Sequence, residues 1–251
     1  MTDASNPVAL VTGGGTGIGR AIALRLARDG YYLLLVGRRQ ELLEGAAKSA
    51  GQPAGKAALA VDLGDSSAHS VIVDACVSRY GRLDVIVNNA GMYSLGGVET
   101  TAETWRKMMA VNLDAPFLLV KAALPLLKQS PAPCIVNIAS TVAYQTVRSA
   151  LAYSVSKAGL VHLSKLLALE LAPHKIRVNC VCPGVVETPI FDGVMTEQQK
   201  QERIEHMAQV HPLGRVGRPE DVAGMVAYLV SDDASWVTGG AFPCDGGISL
   251  T

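Results

Sequence analysis

The stretch that most restricts what this chain can fold into lies near its N-terminus. Val8-Ala9-Leu10-Val11 is a short apolar run, Thr12-Gly13-Gly14-Gly15-Thr16-Gly17-Ile18-Gly19 follows it, and Arg20–Ala27 has helical character. A flexible turn between strand and helix accounts for one or two glycines, hardly for five within the seven positions 13–19. Glycine lets the main chain turn tightly and approach a ligand closely. A helix starting directly after such a loop presents unpaired N–H groups and the positive end of its dipole, which is what a dinucleotide pyrophosphate requires. The spacing is Gly-x-x-x-Gly-x-Gly, a departure from the Gly-x-Gly-x-x-Gly of the general dinucleotide fingerprint.

The rest of the chain keeps alternating strand with helix. Further strands are expected at Tyr32–Val36, Ala57–Val61, Leu83–Val87, Cys134–Ala139, Arg177–Val181 and Ala241–Pro243. Helices are expected at Gln40–Ala50, Ser66–Tyr80, Thr101–Val111, Ala115–Lys128, Leu151–Leu171 and Pro219–Val230. Near-continuous apolar strands between helices imply a mainly parallel sheet covered on both faces, an α/β, doubly wound fold of seven strands. The 251 residues suit one such domain spanning 1–251. Residues 187–210 break the rhythm and are expected to form a mobile lid, with Ile190, Phe191, Val194 and Met195 as an apolar wall. In open parallel sheets, ligands bind beyond the carboxyl ends of the strands near the topological switch point. The glycine loop, Asn88–Gly91, Ser140 and Pro183-Gly184 each follow an expected strand, so they should gather along one edge.

A second constellation carries chemistry. Tyr153 and Lys157 lie four residues apart in Ala152-Tyr153-Ser154-Val155-Ser156-Lys157, and Ser140 ends the run Cys134–Ala139. Positions i and i+4 of a helix share a face, so phenol and ammonium can point into one site. A free tyrosine titrates near ~10, and a neighbouring cation favours its phenolate. A hydroxyl nearby could hold a carbonyl oxygen, so the set suits acid–base chemistry on C=O or CH–OH.

Composition excludes several alternatives. The 22 basic and 22 acidic residues cancel, leaving no basic excess for nucleic acid or a membrane surface. Met1–Pro7 has neither a basic nor an apolar leader region, and no uninterrupted apolar run approaches the ~18 residues of a membrane helix. The cysteines Cys76, Cys134, Cys180, Cys182 and Cys244 are odd in number and lack zinc-type spacing, and Cys180 and Cys182 read as core packing on one side of a strand. A reducing, cytoplasmic setting is the default expectation. The five histidines form no metal-spaced cluster, so no metal site is expected. Neither His162 nor His174 accompanies a Gly-x-Ser-x-Gly elbow, and His162 is expected to pack along the long helix.

Together these motifs resemble the short-chain dehydrogenase/reductase family over nearly the whole chain. Thr12–Gly19 is similar to its cofactor loop, with Gly13, Gly15, Thr16, Gly17, Ile18 and Gly19 as contacts. Asn88-Asn89-Ala90-Gly91 is similar to its Asn-Asn-Ala-Gly motif, placing Asn89, Ala90 and Gly91 at the cofactor. Asn112, Ser140, Tyr153 and Lys157 match its catalytic tetrad in order and spacing. Pro183-Gly184-Val185-Val186-Glu187-Thr188 matches the segment over the nicotinamide, implying contacts from Pro183, Gly184, Val186 and Thr188. The resemblance implies that Tyr153 exchanges a proton with the substrate oxygen and that Lys157 lowers the tyrosine pKa and holds the nicotinamide ribose. It also implies that Ser140 orients the substrate oxygen and that Asn112 holds a proton-relaying water; an asparagine that disrupts or caps a helix is compatible with that role. Asp62 in Val61-Asp62-Leu63 resembles the adenine contact, with Leu63 beside it; an N-cap for the next helix is nearly as good a reading.

Cofactor choice turns on Leu35-Val36-Gly37-Arg38-Arg39. Glycine stands where NAD-preferring members carry aspartate, and the guanidinium of Arg38, with Arg39 beside it, suits a 2′-phosphate. NADP(H) is therefore expected ahead of NAD(H). Gly239-Gly240 and Asp245-Gly246-Gly247 resemble the family's C-terminal strand and turn, and the resemblance implies a homotetramer. The expected activity is interconversion of a small-molecule carbonyl and a secondary alcohol. A 3-oxoacyl-carrier-protein reductase shares every motif, yet Pro131-Ala132-Pro133-Cys134 and Pro173-His174-Lys175-Ile176 lack the arginines such enzymes place there. A non-catalytic NADP(H)-sensing regulator is the alternative of another class; such proteins usually lose the tyrosine or lysine retained here.

Overall fold

A computed structural model of the chain describes residues 6–52, 54–192 and 195–251. Met1–Ser5 of the expected leaderless N-terminus and Val194 of the expected lid wall lie outside the described residues, as does the side chain of Phe191. The chain runs β1 (Val8–Thr12), α1 (Gly17–Arg28), β2 (Tyr32–Gly37), α2 (Gln40–Ser49), α3 (Ala54–Ala57), β3 (Ala58–Ala60), α4 (Ala68–Tyr80) and β4 (Val85–Asn88). It continues with α5 (Ala102–Met109), a π-turn (Ala110–Asp114), α6 (Ala115–Leu127), β5 (Cys134–Ile138), α7 (Leu151–Leu171) and β6 (Arg177–Pro183). Helices α8 (Glu197–Val210) and α9 (Pro219–Val230) precede β7 (Ala241–Cys244).

All seven strands pair in parallel in the order β3-β2-β1-β4-β5-β6-β7. Alternate side chains leave a strand on opposite faces, and both faces here are buried. Ala9 and Val11 of β1 join Leu33, Leu35, Val85 and Val87 under α1, α2 and α9. Val8 and Leu10 join Leu34, Val36, Ile86 and Ile135 under α4, α6 and the end of α7. The strand order reverses direction between β1 and β4, so a crevice opens beyond the carboxyl ends of that pair.

Three expectations need correcting. The stretch expected to break the rhythm contains a helix, α8, started by a reciprocal capping box between Thr196 and Gln199. The third strand is only three residues long, because Ala54–Ala57 close into a helical turn before it. His162 lies on the exposed face of α7 rather than packing along it. Across the π-turn, Ala102–Leu127 form one 26-residue helical run, long and apolar enough by length and composition to cross a membrane. Ala115, Leu119, Val120, Ala123 and Leu127 of that run are buried in the core beneath the sheet.

Candidate active site

The glycine loop owes its shape to close approach. Gly13 and Gly17 have φ of 65° and 50°, a region that side chains with a Cβ rarely adopt. A Cβ on Gly19 would stand 2.2 Å from the Gly13 carbonyl oxygen and 2.5 Å from Asn89 Nδ2. The loop feeds α1, whose N-cap Thr16 makes no side-chain cap and whose first turn carries no acid. Its N–H groups and dipole are therefore left to an incoming anion, and the residues present fit a dinucleotide pyrophosphate. Ile18 packs against the core from this first turn.

Thr12, which the motif reading passed over as a contact, anchors the loop to β4. Its Oγ1 accepts the N–H groups of Asn89 at 3.0 Å and Ala90 at 2.9 Å. Asn89 Nδ2 donates to the Thr12 carbonyl at 2.9 Å and the Gly13 carbonyl at 3.4 Å. The amide of Asn89 thus shapes the loop from behind. Across the crevice, Thr188 follows β6 and lies against Gly17, where a Cβ would come within 3.2 Å of it. Gly184 packs on Asp245, and Val186 is buried and bridges to Gly217. Pro183 closes β6.

At the outer edge, Arg38 and Arg39 are exposed directly beyond Gly37, the last residue of β2. Arg39 occupies the N-cap of α2 without a side-chain cap, and among the described residues neither arginine has an ion pair. Asp62 does not cap α4, whose N-cap is Ser67; its Oδ1 accepts the Gly64 N–H at 2.9 Å. Leu63 is buried in the core beneath.

The structure brings Tyr153, Ser140, Lys157 and Asn112 together where α7 packs along β5 and β6. Tyr153 and Lys157 both face inward from the first turns of α7. Lys157 Nζ donates to the Ile138 carbonyl at 2.8 Å and stands 5.7 Å from the centre of the Tyr153 ring. A Cβ on Gly91 would meet both Asn112 Oδ1, at 3.4 Å, and Lys157 Nζ, at 3.5 Å. Gly91 is therefore the point at which lysine and asparagine converge. Ser140 follows β5 as the N-cap of a short 3-10 turn, its Oγ accepting the Val142 N–H at 3.4 Å, and it lies close enough to Tyr153 to pull the phenol's pKa down.

Burial dominates the electrostatics. It pushes the Tyr153 phenol up to about 12, with the Ser140 hydrogen bond pulling down and Tyr93 pushing up. Lys157 Nζ is held by the Ile138 carbonyl, and burial of the phenol outweighs what lowers its pKa. Burial brings Lys157 down to about 8. The Asn112 Nδ2 donates to the Met92 carbonyl and Ser156 Oγ, each at 3.0 Å, and its Oδ1 accepts the Met92 N–H at 2.9 Å. The amide thereby ties the segment after β4 to α7.

Two tyrosines complete the site and were not singled out by motif. The Tyr93 ring meets Tyr153 edge to face, with centroids 5.1 Å apart. Tyr144 lies half-exposed just beyond Ser140, and its hydroxyl contacts Cys182 Sγ at 3.5 Å. Cys180 and Cys182 sit on one face of β6 with Ala139, Leu160 and Val161. An aromatic two residues after Asn-Asn-Ala-Gly and another four after the serine were the signals available.

A family model described as enoyl-(acyl carrier protein) reductase matches residues 13–249. Dehydrogenase/reductase SDR family member 4 of Homo sapiens is 35% identical over 246 residues, covering 97% of this chain and 87% of that protein. The crystal structure of levodione reductase is similar with a TM-score of 0.90 and 33% identity, covering 98% of each chain. A Beutenbergia cavernae structure with NADP bound at low occupancy is similar with a TM-score of 0.87 and 34% identity, over 98% of this chain and 97% of that one.

Proposed function

The chain belongs to the short-chain dehydrogenase/reductase family, an oxidoreductase acting on CH–OH/C=O, and from that premise we propose that it interconverts a carbonyl and a secondary alcohol with NADP(H). The observation carrying this reading is the convergence of Tyr153, Ser140 and Lys157 beyond β4 and β5, beside the glycine loop. The loop Gly13–Gly19 and the open N-terminus of α1 would hold the pyrophosphate. Ala90, Gly91 and Pro183–Thr188 would flank the nicotinamide half. The bound nicotinamide supplies or accepts the hydride.

The protein's own part is proton placement and positioning. Burial keeps the Tyr153 phenol protonated, so in reduction it donates to the carbonyl oxygen, and in oxidation it takes that proton back. Ser140, beside that phenol, orients the same oxygen and stabilises the charge developing on it. Lys157, near 8, holds the ribose and can pass a proton at mildly alkaline pH. Asn112 acts as a positioning residue, because its amide fixes Met92 beside Gly91. Helix α8, together with Glu187–Asp192, closes over the substrate as a lid.

NADP(H) is favoured by the exposed Arg38–Arg39 pair beyond β2, where an aspartate would select NAD. The NADP-containing relative supports the choice. We further propose a homotetramer in a cytoplasmic setting; the exposed Leu166, Leu169 and Trp236 offer apolar surface for assembly.

The test is NADPH oxidation over ketones, aldehydes, keto sugars and 3-oxoacyl thioesters, with NADH in parallel and Tyr153→Phe as control. Turnover that the variant loses, with NADPH binding kept, is the expected result. Binding without turnover on any substrate would favour the sensor reading, and preference for NADH would remove the Arg38 argument.

A further inference from the structure

Three buried polar side chains interrupt the apolar contact between α7 and the sheet. On the face that α7 covers, Ile86 and Ile135 lie in one apolar cluster and Ala139 in another. Between them stand Asn88 of β4 and Asn137 of β5, partners in the strand register and only 3% and 0% exposed. Asn88 Nδ2 donates to Asn137 Oδ1 at 2.8 Å, and Asn137 Nδ2 donates to Ser164 Oγ at 2.8 Å. Ser164, 1% exposed, donates in turn to the Leu160 carbonyl at 2.6 Å. The donors thus run one way across two strands and end on the backbone of α7.

Taking these groups out of water costs stability that apolar side chains of similar size would not. What the hydrogen bonds add is direction: a helix can slide along an apolar face, whereas a hydrogen bond has one good geometry. The same two elements carry the chemistry. Ile138, next to Asn137 on β5, accepts Lys157 Nζ at 2.8 Å, and Ser140 follows directly after that strand. Lys157 and Ser164 are both buried on α7, about two turns apart on one face. Nearer the start of α7, Ser156 Oγ accepts Asn112 Nδ2 at 3.0 Å, so asparagine–serine bonds hold the helix on either side of Lys157.

We infer that Asn137 and Ser164 are positioning residues for the reaction, their hydrogen bond fixing the register of α7 against β5 and so the placement of Tyr153 and Lys157 relative to Ser140. The inference rests on the carbonyl-reduction reading of that site and adds to it the device that sets its geometry.

The experiment takes the panel carbonyl that wild type reduces fastest and measures kcat per folded molecule, KM for the carbonyl and NADPH affinity. Wild type is compared with Ser164→Ala, Asn137→Leu and Tyr153→Phe. Asp84→Ala serves as control, since Asp84 is buried at the opposite end of β4. Ser164→Ala should lower kcat by about tenfold while KM and NADPH affinity stay within about twofold, because misplaced groups slow the chemical step rather than binding. Asn137→Leu should do the same or more, and where it does not fold, Ser164→Ala carries the test. Asp84→Ala should lose stability and keep its kcat. An unchanged kcat per folded molecule in Ser164→Ala would overturn the inference. So would NADPH affinity falling in step with kcat, or an equal loss of kcat in Asp84→Ala, which would make the effect a general softening. Wild-type turnover that Tyr153→Phe loses would leave the carbonyl-reduction reading standing in each of those cases; no wild-type turnover on any carbonyl would remove both.

Discussion

A methyl group added at Gly19 has nowhere to go, since it would stand 2.2 Å from a backbone oxygen. Gly19→Ala should therefore cost about 1–3 kcal/mol or more and weaken NADPH binding, read by urea unfolding and cofactor titration. Gly45, inside α2, meets nothing within 4 Å, so Gly45→Ala should add about 0.5–1 kcal/mol without touching activity. Glycine patterns in sequence do not separate these two cases; the neighbours do. Lys157 makes a pH-dependent prediction. Burial lowers its pKa from 10.5 to about 8, so between those values the unfolded chain binds more protons than the folded one. Stability of the ligand-free protein should then rise with pH through that window, by on the order of 3 kcal/mol in total. Lys157→Met removes the group, so the urea midpoint of wild type should rise relative to the variant from pH 7.5 to 9.5; a constant difference would contradict the burial argument.

At the scale of elements, the loop between β1 and α1 is held by one hydroxyl that accepts two N–H groups from the end of β4. Thr12→Val keeps the shape and orphans both donors, so it should cost about 1–3 kcal/mol, with hydrogen-exchange protection falling at Asn89 and Ala90. Helix α8 shows what pattern reading overlooks. Its residues are mostly polar, and none of its described side chains is buried, so no hydrophobic stripe announces it. Its start was nonetheless written in Thr196-Glu197-Gln198-Gln199, a capping-box spacing. Thr196→Ala should cost about 1 kcal/mol of local stability, seen as faster exchange in α8 with the sheet unaffected.

For the whole molecule, the two ends of the sheet do different work. At the amino ends of the strands, buried Asp84 accepts Val8 N–H at 2.7 Å, Arg82 at 2.8 and 2.9 Å and Ser130 Oγ at 2.6 Å. It ties β1, β4 and the turn before β5 far from the chemistry, so Asp84→Ala should lose about 3–5 kcal/mol by thermal or urea unfolding while kcat per folded molecule is unchanged. The sequence alone determined the strand-helix alternation, the parallel sheet and the order of the motifs, because apolar period and glycine spacing are local properties of the chain. It also marked Tyr153 and Lys157 as neighbours, because four residues on a helix bring side chains to one face. Tertiary structure decided the rest. Which groups hold Lys157 and Asn112 depended on the Ile138 carbonyl and on Met92 and Ser156 from other segments. Burial and charge at a site are sums over neighbours from many segments, and only the folded chain assembles those neighbours.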